Sequence, residues 1–334
     1  GAKQRHAAAH GLASLGEVGA RAMVPALSMH GGEVKSLALE ICIHVGADAG
    51  SMASHLAQCA EDADEAVRER ATQALGMLGS QASAEAIHAL GNRITDQSLG
   101  VSRLAIAGVG HMGPAAMELA QKVLTQLQCF DVDLRRTTAW SLGQLGPGLP
   151  TPVTKALAEA LKEDKDSTVR ELSARALGSQ GAAAIPFAQT LGAALQDQVP
   201  AVQVAAVQSL SLLGGQAVAH LIPAICNLAL ASQGEVEQEA LLALGSFGQH
   251  GVYTLASRLE DHVPETRQQV LEALAKLAHY KATQELIVSV TQLLKDKPNP
   301  GVRAAAAKAL GEIAASQLEQ ARAEGLADQE VADA

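Results

Sequence analysis

Aromatic side chains are nearly absent from this chain of 334 residues, which has one Trp, two Tyr and three Phe. A thick globular core is normally built around such rings, and their scarcity points to many thin layers closed by Ala, Leu, Val and Ile. Cysteine is scarce too. Four thiols in this length do not make a disulfide-stapled domain, and no C-x-x-C pair occurs, so Cys42, Cys59, Cys129 and Cys226 read as reduced packing thiols. Charged residues are only 18% of the chain, and Asp+Glu 35 against Lys+Arg 25 leaves a net charge of −10. That balance opposes a phosphate-neutralising surface, and no nucleic acid is expected as a partner. No apolar run approaches the roughly 20 residues of a membrane span, so no membrane insertion is expected. With 48% hydrophobic residues, the chain is not a disordered one.

What the sequence does contain is repetition. Val67-Arg68-Glu69-Arg70-Ala71-Thr72-Gln73-Ala74-Leu75-Gly76-Met77-Leu78-Gly79 recurs at Val169-Arg170 and at Val302-Arg303. Weaker copies fill the gaps, giving ten units that start at Gln4, Val34, Val67, Val101, Leu134, Val169, Val202, Val236, Thr266 and Val302. Counting from each start, the residues four, five, seven, eight and eleven places on are apolar or small almost throughout, a helical period that excludes strands. The twelfth place holds Gly16, Gly46, Gly79, Gly113, Gly146, Gly181, Gly214 and Gly248, read as left-handed residues that end a helix. Ala278 and Ala314 stand there in the last two units, whose helices are expected to end differently. A second apolar stretch between these helices, such as Ala86-Ile87-His88-Ala89-Leu90 or Leu221-Ile222-Pro223-Ala224-Ile225, makes each unit an antiparallel helix pair.

Asp166-Ser167-Thr168-Val169-Arg170 followed by Ala176-Leu177-Gly178 carries the signature of Asp, two residues, Val-Arg, then Ala-Leu-Gly. In this the chain resembles the HEAT repeat family, in the short HEAT-like form of the phycobilisome bilin lyases. The resemblance implies an all-α solenoid, a right-handed superhelix of about ten hairpin repeats, running through residues 1–334 as one domain. It also implies a hydrogen-bonded ladder between repeats. Asp64, Asp131, Asp166 and Asn299 are the helix caps of that pattern, with Arg68, Arg135, Arg170 and Arg303 four places on. Gln203 and Glu237 replace Arg in two adjacent units, so a gap in the ladder is expected at 200–240. The first helix begins near Gln4 with no preceding partner helix, and Leu12 and Leu15 are expected to lack cover. This reads as a fragment of a longer chain or an end covered by another subunit. Residues 316–334 read as an acidic cap or tail.

No catalytic motif emerges. Gly108-Val109-Gly110-His111-Met112-Gly113 satisfies G-x-G-x-x-G, but it lacks the strand that a dinucleotide site needs before it. His6 and His10 share a helix face on which, with Glu40, they could chelate a metal, although exposed histidines are the simpler reading. HEAT-repeat deoxyhypusine hydroxylases hold iron through His-Glu dipeptides, and this chain has none. No cofactor is expected.

Two departures from the repeat carry the functional reading. At the sixth place, a mostly polar stripe of the second helices, stands Trp140, the chain's only Trp; the second place gives Arg103 and Arg136. With Arg175 these form a basic and aromatic patch on the concave face. The alternative is that Trp140 folds onto Arg136 or Arg175 and fills a gap. The second departure is that Gln198–Gly234 contains no charge, with Val204 and Leu242 in or beside it, as in an interface core. The Gly146-Pro147-Gly148-Leu149-Pro150 loop is expected to project as an extended connection. The function expected from these features is a non-catalytic, intracellular and soluble scaffold that grips a protein partner within a multi-subunit assembly. The alternatives are bilin attachment, with Trp140 and the three Arg residues holding a tetrapyrrole, and nucleic-acid binding.

Overall fold

The computed structural model describes residues 11–29, 32–276, 287, 290–291, 294–295, 300–311 and 314–315. No strand occurs among them. The contacts divide the chain into two units, Gly1–Ala183 and Ala184–Ala334.

The N-terminal unit comprises α1 (Glu17–Arg21), α2 (Val24–Leu27), α3 (Gly32–Val45), α4 (Ala53–Cys59), α5 (Glu65–Gly76), α6 (Ala84–Arg93), α7 (Leu99–Met112), α8 (Ala120–Leu124), α9 (Val132–Gln144), α10 (Thr151–Glu163) and α11 (Ser167–Gly178). In each hairpin a first helix (α4, α6, α8, α10) returns antiparallel as a second (α5, α7, α9, α11), and the second helices stack on one another in sequence from α3 to α11. The C-terminal unit repeats the plan with α12 (Ala188–Ala194) and α13 (Pro200–Leu213), α14 (Ile222–Ala231) and α15 (Glu235–Ser246), α16 (Gln249–Ala256) and α17 (Pro264–Lys276). Residues 300–311 are helical.

Glycine and alanine decide how close the second helices come. A Cβ placed on Gly76 of α5 would lie 2.8 Å from the Cα of Gly108 in α7, and one on Gly143 of α9 would lie 3.3 Å from the Cβ of Ala176 in α11. Both contacts join the same repeat positions, the Gly of one Ala-Leu-Gly to the small residue that opens the next. The large side chains sit between these contacts, in layers. Leu75, Leu142 and Leu177 are wholly buried, with Val109 at the same place in α7.

All eight glycines at the twelfth place have positive φ, from 54° at Gly181 to 85° at Gly214. At four of them the conformation is not the left-handed helical one expected from the sequence. With ψ of −132° at Gly16, −139° at Gly113, −140° at Gly248 and 146° at Gly214, these four adopt regions that side chains exclude more strictly. Ala278 lies outside the described residues, and Ala314 is helical.

One expectation is corrected. The loop at 146–150 does not project freely. The Gln180 side-chain oxygen accepts from the backbone N–H groups of Gly148 (3.1 Å) and Leu149 (3.0 Å), and its Nε2 donates to Gly146 O (2.9 Å). Leu149 is thereby only 6% exposed. In the uncharged stretch burial is confined to part of the residues, and Leu212 on α13 stays 68% exposed. In α13 Val202, Val204, Ala205, Ala206, Val207, Ser209, Leu210 and Leu213 are all buried, and a helix apolar on nearly every side is a core helix.

We expect Gly76→Ala to lower stability by about 1–3 kcal/mol, because its Cβ meets backbone that cannot yield without separating α5 from α7. Gly50→Ala, which meets nothing within 4 Å and needs no positive φ, serves as control. Thermal melts of the two variants check this, and equal melting temperatures would refute the close-approach argument.

Candidate interaction site

The edge of the N-terminal unit is organised by rungs of charge. Asp64, Asp131 and Asp166 precede α5, α9 and α11, and their carboxylates accept from the backbone N–H groups of Ala66, Leu134 and Val169. The ladder itself uses a different aspartate, two residues earlier. Arg68 donates through Nε and Nη2 to Asp96 (3.2 Å each) and through Nη1 to the carbonyls of Asp62 and Ala63. Arg135 does the same with Asp164 (2.8 and 3.1 Å) and the carbonyls of Cys129 and Phe130. Each fork thus fixes its own loop and clamps the next.

Lys35 supplies the preceding rung to Asp62 at 2.6 Å. The missing rung of this unit lies at Ser102 and Cys129. The Ser102 hydroxyl turns inward to the carbonyl of Ile94, and Cys129 takes the aspartate position. Sequence reasoning overlooked these aspartates because it tied the arginine to the capping residue. The signal was the recurring pair Asp62/Asp64, Asp96/Ser98, Asp164/Asp166.

Arg170 Nη1 donates to the carbonyls of Asp164 and Lys165. In the C-terminal unit Gln203 keeps half the arginine's work, donating to Asp197 O at 2.8 Å, and Glu237 reverses the charge and pairs with Lys276. Arg303 is half-buried, and Asn299 lies outside the described residues, as do Gln4, His6, His10 and the 316–334 tail.

The expected patch is divided by this geometry. Arg136 is committed inside the fold: Nε and Nη2 grip Asp166 (2.9 and 2.7 Å), and Nη1 reaches Asp133 (3.1 Å). The hydrogen bond to Asp166 raises the Arg136 pKa and lowers that of Asp166. Arg175 pairs with Glu171 at 2.9 Å and stays exposed. Arg103 is exposed and makes no ion pair among the described residues. Trp140 is half-buried and meets neither arginine as its ring partner. Its face lies over Gly110, where a Cβ would come within 2.5 Å of Cζ3, and the His111 ring stands edge-on at 5.1 Å. Val204, expected at the surface, is 3% exposed because it is packed into α13's core side; Leu242 is 44% exposed. Arg103, His111 and Arg175 are exposed and Trp140 half-buried on second helices of the N-terminal unit, and Leu242 belongs to the other unit.

Among the described residues no cluster of three or more metal-ligating side chains occurs. His44 is hydrogen-bonded to Glu40 O at 2.7 Å. Burial pushes the Cys42 thiol up to about 11 and the Cys226 thiol up to about 12, so both are inert packing groups. The Gly108–Gly113 segment is the end of α7, whose glycines admit Gly76 and Trp140 rather than a phosphate.

The hydrogen bond from Lys35 holds Asp62 below the usual carboxylate range. At Asp96 burial pushes upward, but the Ser98 N–H and the Arg68 fork outweigh it, so its pKa also falls. A carboxylate depressed in the folded state stabilises fully above its unfolded value near about 4 and loses that contribution as pH falls through the folded value. We expect the melting temperature to drop steeply below about pH 4, and Asp96→Asn to melt lower at neutral pH but with a shallower acid slope. Calorimetry across that range checks it, and parallel slopes would exclude the ladder as the acid-sensitive element.

A family model described as HEAT repeats matches residues 154–228, 188–275, 222–311 and 254–330, and one described as PBS lyase HEAT-like repeat matches residues 67–92. No curated protein matches the sequence. Among solved structures the chain is similar to an engineered protein of the Northeast Structural Genomics Consortium, at 20% identity and a TM-score of 0.55 over 93% of this chain and 95% of that one. It is also similar to a chain in the structure reporting that Kap95p binding induces the RanGDP switch loops to adopt the GTP-bound conformation. There the identity is 15% and the TM-score 0.51, over 88% of this chain and 45% of the other. These likenesses show an all-α solenoid fold, and with family matches spanning more than half its length the chain belongs to the HEAT repeat family.

Proposed function

We propose that this chain is a non-catalytic scaffold that binds a protein partner along the exposed stripe of second helices in its N-terminal unit. The observation that carries this reading is the unequal state of three guanidinium groups. Arg136 and Arg175 have carboxylates of their own, whereas Arg103 stands in solvent without one among the described residues. Arg103 lies one helical turn before Ala107, which occupies Trp140's repeat position in the neighbouring helix, so an arginine donor and a half-exposed ring share one platform. A partner presenting a carboxylate next to an apolar or aromatic side chain satisfies both.

One spare guanidinium suits a single acidic contact better than a phosphate backbone or the two propionates of a tetrapyrrole. The structurally similar Kap95p is described as binding RanGDP, which agrees with a role for such helix stacks in holding other proteins.

The test is retention of proteins from native extract by the wild-type chain and by Arg103→Glu, with circular dichroism and melting temperature unchanged between them. We expect one partner to be retained at least about tenfold less by the variant. Addition of that partner should shift the emission of Trp140, the chain's only tryptophan. Equal retention and an unmoved Trp140 spectrum would overturn the assignment.

A further inference from the structure

Polar bonds clamp the junctions between consecutive second helices of the N-terminal unit, from α3 to α11, with one exception. Between α3 and α5 lie the Lys35–Asp62 pair at 2.6 Å and the Arg70–Glu40 pair at 3.6 Å. Between α5 and α7 the Arg68 fork grips Asp96. The α9–α11 junction carries the most, with Arg135 on Asp164, Arg136 on Asp166 and Gln180 on the backbone of 146–149. At α7–α9 no hydrogen bond or ion pair crosses among the described residues. Ser102 and Cys129, where a rung would stand, bond only within their own hairpins, to Ile94 O and Asp131 O.

The first helices do not make up for this. Of α8 only five residues are helical, Ala120–Leu124, and they follow a 3₁₀ segment, Gly113–Leu119, interrupted by the non-helical Ala116 (φ −101°, ψ 18°). Its neighbours α6 and α10 have ten and thirteen residues. The junction is nevertheless tight at its other end, where the Trp140 ring lies over Gly110 and meets the edge of His111 at 5.1 Å. Ser102 and His111 stand at opposite ends of α7, so the bare edge and the packed end are roughly 13 Å apart at about 1.5 Å per residue.

The stack thus consists of two clamped blocks, α3–α7 and α8–α11, which meet at a junction fastened at a single end. In a repeat array each interface contributes its own free energy, and opening begins where that contribution is smallest. A fastened end opposite a free one defines an axis of rotation. We propose that the α7–α9 junction is the hinge of the N-terminal unit, where the loop edges of the two blocks part while Trp140 and His111 stay packed. Ser at 102 in place of the rung's Arg, together with Cys at 129 in place of its Asp, sets the position of this hinge. The hinge is independent of the docking role assigned to Arg103.

Dipolar electron resonance between spin labels on exposed first-helix residues of the full chain tests it, with Cys129→Ser removing the one native thiol that is not buried. Labels at His88 and Gln121 span the hinge, whereas the pairs Ser54–His88 and Gln121–Lys155 span clamped junctions. The distance distribution across the hinge is expected to be at least about twice as broad as either of the others. Ser102→Arg with Cys129→Asp, which copies the Arg68–Asp96 and Arg135–Asp164 rungs, should narrow it to their width, and neither substitution alone should do so. Arg103→Glu should leave it unchanged, so that failure of the docking role and failure of the hinge are read separately. Equal widths for the three pairs without the added rung would overturn the proposal, whether or not the double variant folds. An unnarrowed distribution in a folded double variant would overturn it as well.

Discussion

The fold depends on how closely neighbouring second helices approach. With six aromatic residues in 334 there is no large side chain to span a wide gap, so the layers must be thin. In the N-terminal unit the Gly that follows the layer leucine meets the small residue of the next second helix at close range, as at Gly76 with Gly108 and Gly143 with Ala176. That distance lets Leu75, Leu142 and Leu177 fill the layer between hairpins, and it brings the loop edges near enough for an arginine of one loop to reach an aspartate of the next. The charged ladder follows from the glycine contact, since a fork with bonds near 3 Å spans no wider spacing.

The ladder obeys a pairing rule that explains its own gap. A half-buried guanidinium facing no carboxylate, or the reverse, would carry a desolvation cost with no return interaction. Where Arg is lost at Ser102, the Asp of the following loop is lost at Cys129, and both replacements find local hydrogen bonds, to Ile94 O and Asp131 O. Gln203 shows a milder solution. It holds the loop carbonyl that an arginine would hold and leaves the inter-loop charge out.

Most of the architecture was legible in the sequence because it is periodic. Helix positions, the pairing of helices and the eight positive-φ glycines all follow from spacing and from the steric privilege of glycine. What was not legible depended on which side chain reaches which partner across a repeat. The aspartates at 62, 96 and 164 sit two residues before the caps and look like ordinary loop acids until the fork is seen. Arg136 reads as a surface cation from its helix position, yet Asp166 on the next hairpin claims it. The uncharged 198–234 stretch resembles an interface core in composition, and composition alone does not say that Val204 and Ala205 are buried in α13 while Leu212 on the same helix is exposed. Gln180, one polar residue among several at a helix end, gives no sign in sequence that it clamps a loop some thirty residues earlier.

In a repeat protein each departure from the period has to be answered somewhere, and where the answer lies distinguishes structure from recognition. Trp140 on a polar stripe is answered only in part within the chain, since Gly110 makes room for one side of its ring and His111 packs against it while the side chain stays half-exposed. Ser102 answers Cys129. Val204 is answered by the core around α13. Arg103 and Phe130 break the period just as plainly, one as a guanidinium without a carboxylate and the other as a ring in water on a fixed loop, and nothing within the described residues compensates either. A single exposed ring is an ordinary feature of a protein surface, so its exposure marks where the period goes unanswered and is not by itself a sign of recognition.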